Sequence, residues 1–193
     1  MASLPSLVRR INGIKKDDAI VVIAISGFCG AGKSTLAEKL RSLLDAAEVV
    51  SIDDFITGPR DHRSKHWDTF DRRRFQTEIL QAAKPGAEIE YTQFQSGIMA
   101  SGLPGNLRKI HLKRYLIVEG VGIFTPDLMK FYDMSIWINC PIEIAIARAK
   151  ERGKNEKEPN SHLLDYVWGP NDLDFYSEFR PDQLATVKYG YES

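Results

Sequence analysis

The apolar positions of the chain follow two rhythms. Ile20-Val21-Val22-Ile23-Ala24-Ile25 is an unbroken, mostly β-branched run, the pattern of a strand buried on both faces of a parallel sheet. From Lys33 the sequence KSTLAEKLRSLLDAA changes to helical spacing, with Leu36, Leu40, Leu43 and Leu44 on one side. Apolar runs predict further strands at Glu48–Ile52, Tyr115–Val118 and Met134–Ile138. Leu4, Leu7, Val8 and Ile11 predict a short amphipathic helix over 3–12. Other helices are expected over 70–83, stopped by Pro85-Gly86, near 127–131, from Pro141 through Arg152, and over 162–179. Residues 89–92 and 109–112 read as short strands around a Gly-rich stretch, 56–67 as an irregular loop, and 153–160 as mobile by composition.

Strands alternating with helices imply right-handed βαβ crossovers and a three-layer αβα domain with a mainly parallel central sheet. Ligands of such sheets bind at the carboxyl ends of the strands. Residues 27–34, Asp53-Asp54, Glu119-Gly120 and Asn139-Cys140 all fall at predicted strand ends. The unusual residues are therefore expected on one rim.

Gly27-x-x-x-x-Gly32-Lys33-Ser34 stands between the first strand and its helix. Its glycines let backbone N–H groups curl around phosphate oxygens. Lys33 reaches the β- and γ-phosphates, the Ser34 hydroxyl ligates Mg²⁺, and the helix start adds its positive dipole end. The expected fold is thus that of a P-loop NTPase, with ATP and Mg²⁺ as cofactors. Gly27, Gly30, Ala31, Gly32, Lys33, Ser34 and Thr35 are the expected nucleotide contacts.

Asp53 and Asp54 follow the second strand, one alternating position apart, so only one can face the phosphates. The functional reading is a general base that also touches magnesium; the alternative is a helix cap. Glu119, directly after Leu116-Ile117-Val118, occupies the Walker-B place and completes a metal set of Ser34, Asp53 and Glu119. Arg148, Lys150, Arg152 and Lys154 cluster at a helix end. They either complement the helix dipole or form a lid, about 148–162, that neutralises charge on the transferred phosphoryl. Lys33, Asp53, Arg148 and Arg152 are the expected catalytic groups.

Composition narrows the classes. With 193 residues and no Pro/Gly/Ser linker or repeat, a single domain over 1–193 is expected. Lys+Arg and Asp+Glu both number 26, so no global field draws the chain to nucleic acid or an anionic membrane. The longest apolar run, Ala19 to Ile25, is too short to span a bilayer, and the N-terminus lacks a signal peptide's apolar core, so a cytoplasmic location is expected. Cys29 and Cys140 form no CxxC and suggest neither zinc nor a redox pair; Cys29 reads as a small residue suited to the loop. No aspartate has glycine three positions on, and Asn155 is followed by Glu156, so both GTPase elements are missing. An oligomeric ATPase would need more chain for a second subdomain. An acid after strand two and a basic lid fit a kinase.

Here the chain resembles a family. Residues 23–36 with Ser51-Ile52-Asp53-Asp54-Phe55, Ile117-Val118-Glu119-Gly120-Val121, and the Arg148-xxx-Arg152 spacing are similar to the uridine kinase and phosphoribulokinase superfamily. Trp168-Gly169, Tyr176 and Pro181 extend the likeness into the tail. The resemblance implies Asp53 as catalytic base, magnesium near Ser34, Asp53 and Glu119, and lid arginines at Arg148 and Arg152. Three places depart from the family pattern. The lid's Arg-Asp reads Arg152-Gly153, the stretch with an aspartate before His-Pro-Asp reads Lys65-His66-Trp67-Asp68, and the Tyr-Asp-Phe segment appears as Tyr91-Thr92-Gln93-Phe94.

The acceptor region is expected over about 54–112, with Asp54, Trp67, Asp68, Tyr91 and Phe94 as candidate contacts beside Arg72 and Arg73. Arg60, His62, Arg63 and Lys65 read as a solvated loop. The expected activity moves the γ-phosphoryl of ATP to a hydroxyl of a small metabolite, with a nucleoside first. Pantothenate, nicotinamide riboside, a sugar or a phosphorylated acceptor are alternatives, as is a non-catalytic ATP-binding regulator. The partner expected is a small-molecule acceptor, with monomer or homo-oligomer left open.

Overall fold

The computed structural model describes residues 1–58, 61–94, 105–155 and 162–191. A five-stranded parallel sheet of order β2-β5-β1-β6-β7 forms the centre of a three-layer α/β domain. Its strands are β1 (Val21–Ser26), β2 (Ala47–Ser51), β5 (Tyr115–Glu119), β6 (Met134–Asn139) and β7 (Val187–Gly190). Every residue of β1 and β5 is buried, as an apolar run flanked by strands and covered by helices must be. On the edge, β2 buries only Val50 fully.

Helix α1 (Leu4–Asn12) buries Leu7 and Ile11 and meets α2 (Lys33–Leu43), which buries Leu36, Ala37 and Leu40 against the sheet. A small antiparallel hairpin of β3 (Glu88–Thr92) and β4 (Leu107–His111) stands apart from the main sheet. After α4 (Pro126–Met129) and β6 comes α5 (Ile142–Asn155), then a π turn Leu164–Trp168, α6 (Gly169–Phe179) and α7 (Pro181–Leu184). No helix among the described residues is long and apolar enough to cross a membrane.

Boundaries shift where side chains intervene. The helix expected over 70–83 is α3 (Arg72–Arg74) running into a π turn, Phe75–Leu80. It starts late because Phe70 bridges to Ile56 and Asp71 caps the new start, accepting from the backbone N–H of Arg74 at 2.8 Å. At the end of β2 the chain tightens into a 3₁₀ turn, Ile52–Phe55, rather than extending the strand through Ile52. Helix α5 continues past Arg152 to Asn155, so 153–155 are helical; the rest of the predicted mobile stretch, like Arg60 and most of the Gly-rich stretch, lies outside the described residues.

Candidate active site

The phosphate loop leaves buried β1 and enters α2 with Gly32 at φ 100°, ψ 24° as N-cap. Gly30, at φ +86°, lies against α5: a β-carbon there would sit 2.1 Å from the carbonyl oxygen of Ala145. Both glycines are demanded, one by backbone hand alone and the other also by space. Lys33 Nζ donates to the Phe28 carbonyl at 3.0 Å, bridging the loop it serves. Ser34 Oγ donates to Glu119 Oε1 at 3.3 Å.

Gly30, Gly32, Lys33, Ser34 and Thr35 share one cavity of about 160 Å³ with Asp53, Trp67, Glu119 and Arg152. Ile56, Phe70, Val121 and Trp168 supply its apolar wall, and His62, Thr69 and Asn171 its remaining polar lining. Of the expected rim, the phosphate loop, Asp53 and Glu119-Gly120 line one chamber, whereas Asp54 and Asn139-Cys140 are not part of its lining. Burial raises the carboxyl of Glu119 above its ordinary range; Lys33 opposes the rise and Asp53 adds to it. Ser34, Asp53 and Glu119 are hard oxygen donors. Among the described residues no cluster of three or more His, Cys, Asp or Glu forms an all-protein cage. Hydroxyl and carboxylate oxygens of this kind are the donors Mg²⁺ takes, together with waters and phosphates.

Other expected residues lie elsewhere. Asp54 turns away from the cavity: its carboxylate accepts from Tyr91 Oη at 2.9 Å and Gln93 Nε2 at 3.0 Å, and pairs with Arg108 at 3.4 Å. Tyr91 is 2% exposed and stacks on Phe55 at 5.3 Å. Its hydroxyl is held well above the usual phenol range by burial first and Asp54 next. Asp54 and Tyr91 thus fasten the β3–β4 hairpin to the end of β2 instead of meeting a ligand in the cavity. Phe94 is half-buried against the core, with its backbone N–H on the Asp54 carbonyl. Asp68 lines a separate open depression beside Thr57 and Lys65. Arg72 donates from Nε to the Gly122 carbonyl at 2.9 Å and also to the His66 carbonyl, a structural tie, while Arg73 is exposed.

The two lid arginines part company. Arg152 lines the cavity, whereas Arg148 lines a neighbouring depression with Ala31, Thr35, Tyr189 and Tyr191. Four residues on a helix share a face but stand about 6 Å apart along its axis, enough to serve different subsites. Lys150 pairs with Asp165 at 2.6 Å.

Sequence reasoning missed Asn171 and Asp172. They are 1% and 4% exposed, on the face of α6 that also buries Phe175. Asp172 accepts from the backbone N–H of Cys29 at 2.6 Å and from Trp67 Nε1 at 2.9 Å. Burial pushes its carboxyl up to about 6, against the opposing pull of Lys33 and the two donors. One signal was available: these polar residues stand four positions after Val167 and Trp168, on the apolar stripe of the helix. Cys29 is part-buried, and desolvation pushes its thiol up to about 11, the setting of an inert thiol.

A family profile described as an AAA domain matches residues 23–167. A pantothenate kinase of Rhodococcus erythropolis (strain PR4 / NBRC 100887) is 29% identical over 178 residues, covering 79% of this chain and 56% of that protein. A uridine kinase of Borrelia duttonii (strain Ly) is 25% identical over 146 residues, covering 72% of this chain and 69% of that protein. The chain spans about half the length of the pantothenate kinases it matches. Among solved structures, a candidate fructose transport system kinase from Silicibacter sp. TM1040 superposes with TM-score 0.79 at 23% identity, covering 98% of this chain and 100% of that one. A candidate uridine kinase from Bacillus stearothermophilus gives 0.72 at 18% identity, covering 96% of each. At these identities the likeness to the solved structures is one of fold.

Proposed function

The chain belongs to the AAA domain family, and from that premise we propose that it is a kinase moving the γ-phosphoryl group of ATP to a hydroxyl of a small metabolite. Family membership accounts for the P-loop; the observation that carries the kinase reading is that phosphate-loop groups, Asp53 and apolar side chains line one cavity. Lys33, Ser34 and Arg152 line it together with Asp53, and the apolar side chains of Trp67, Phe70, Val121 and Trp168 complete it. An acceptor held beside the phosphate loop would use such apolar lining.

In this reading Asp53 accepts the proton of the acceptor hydroxyl as its oxygen bonds to the γ-phosphorus, and the bond to the β-phosphate oxygen breaks to release ADP. Lys33 exchanges the Phe28 carbonyl for phosphate oxygens, and Arg152 neutralises charge gathering on the transferred group. Ser34, Asp53 and Glu119 would hold Mg²⁺, which would supply neutralisation of phosphate charge. Asp54, committed to Tyr91, Gln93 and Arg108, serves as an anchor rather than the base. Phosphoryl transfer asks mainly for positioning and charge stabilisation.

For the acceptor, the cavity supports an alcohol with an apolar body. Pantothenate heads the candidates, since relatives bear that activity in their names. A nucleoside is the second reading, favoured by the flat Trp67 indole at the wall and by the uridine kinase relative. The test is ADP release with Mg²⁺–ATP and a panel of pantothenate, uridine, nicotinamide riboside and free sugars, with products identified by mass. The reading expects one alcohol to raise turnover well above the acceptor-free rate. ATP binding with no acceptor-dependent turnover would replace it with a nucleotide-binding regulator.

A further inference from the structure

Asp172 sits where the phosphate loop meets the apolar wall. Its Oδ2 accepts from the backbone N–H of Cys29 at 2.6 Å, and its Oδ1 from the Trp67 indole N–H at 2.9 Å. Cys29 belongs to the loop, whereas Trp67 stands 38 residues later in the chain. A carboxylate only 4% exposed is costly unless both oxygens find donors. Here both do, and neither donor can accept a hydrogen bond in return. An asparagine at the same place offers one acceptor and one NH₂, so one of the two N–H groups would face another donor. The geometry therefore calls for a carboxylate.

The segment that carries Trp67 does not hold its shape by local preference. His66 and Trp67 stand at φ +58° and +59°, values that side chains with a β-carbon resist. External ties impose them. Arg72 holds the His66 carbonyl, and Arg63 is held by Asn171 and Asp174 of α6. Asp172 is the tie that also reaches the phosphate loop.

We propose that Asp172 is a positioning residue that couples the phosphate loop to Trp67, so that nucleotide on the loop changes the setting of the acceptor wall. The acceptor half of this coupling rests on the kinase reading; the nucleotide half does not. The sign of the effect separates positioning from simple electrostatics. Asp172 is a negative group near Lys33, so if charge were its only role, neutralising it would tighten phosphate binding. If it positions the loop, losing one of its two hydrogen bonds weakens nucleotide binding instead.

The experiment titrates ADP and a non-hydrolysable ATP analogue, with Mg²⁺, into the full chain and follows tryptophan emission. The part of the response missing from Trp67→Phe belongs to Trp67, and phenylalanine preserves the ring that stacks on Phe70. In Asp172→Asn we expect nucleotide affinity to fall about tenfold, the scale of one hydrogen bond to a charged group, and the Trp67 part of the response to vanish. Trp67→Phe itself is expected to weaken nucleotide binding several-fold by releasing one arm of Asp172. It also serves as the test should Asp172→Asn fail to fold. Tighter binding in Asp172→Asn, an undiminished Trp67 response, or unchanged affinity in Trp67→Phe would each overturn the proposal. A chain that turns over no alcohol yet shows the Asp172-dependent response retires the kinase reading and keeps this one.

Discussion

Two glycines of the phosphate loop give a quantitative test of how the loop is built. Gly32 stands at φ +100° with nothing within 4 Å of where an added methyl would lie, whereas Gly30, at φ +86°, would place that methyl 2.1 Å from the Ala145 carbonyl oxygen and 2.9 Å from the Ala149 β-carbon. Alanine at either position incurs the left-handed backbone penalty of about 1–2 kcal/mol. At Gly30 it also meets backbone of α5 that cannot swing aside, which adds about 1–3 kcal/mol of overpacking. For a chain of 193 residues, each kcal/mol moves Tm by about 2–4 °C. Gly32→Ala should therefore lower Tm by roughly 2–8 °C, and Gly30→Ala by about twice that. Since Arg152 lies one turn beyond Ala149 on α5, pushing that helix away should also reduce the stabilisation that Mg²⁺–ATP gives by mass action. Differential scanning fluorimetry with and without nucleotide measures both effects. Equal Tm losses for the two variants would refute the claim that close contact with α5, beyond backbone hand, fixes Gly30.

The other expectations concern anchoring and pH. Asp54→Ala leaves Tyr91, Gln93 and Arg108 without their shared acceptor, so it should cost about 1–3 kcal/mol in urea unfolding while leaving kcat within a few-fold. A collapse of kcat with stability intact would move Asp54 into the site. Burial raises the Asp172 carboxyl from 3.8 to about 6, so between those values the native state binds more protons than the unfolded chain. Its contribution to stability therefore falls as pH rises through that window and is level above it, by ~3 kcal/mol in all. Unfolding measured from pH 4 to 7.5 should show that slope in the parent and a flatter one in Asp172→Asn. Parallel curves would contradict it.

The parts of the site that could be read from the sequence are those set by local chemistry. The loop, its helix and the strand-end acids each announce themselves within a few residues, because backbone hand, dipole and charge act over that range. The resemblance to uridine kinase and phosphoribulokinase is matched by the fold of the solved relatives. What could not be read depends on distant partners. Asp53 and Asp54 are neighbours in sequence, yet the second is claimed by Tyr91, Gln93 and Arg108 across 37, 39 and 54 positions. In sequence Tyr91 and Phe94 stand between ligand contact and core, because aromatic residues serve both, and stacking on the Phe55 ring places Tyr91 in the core. Arg148 and Arg152 share a helical face, but the placement of that face against the loop sends them to different depressions. Asp172 has its meaning only once α6 is folded against Cys29 and Trp67.

The central claim is that Asp53 takes the acceptor proton in a cavity shared with the ATP phosphates. Its most direct measurement is single-turnover phosphoryl transfer by the parent and by Asp53→Asn, with the best acceptor of the panel saturating and nucleotide affinity measured in parallel. The account predicts a loss of about 10²–10⁴-fold in the transfer rate at saturating Mg²⁺–ATP. Full transfer by Asp53→Asn would contradict it.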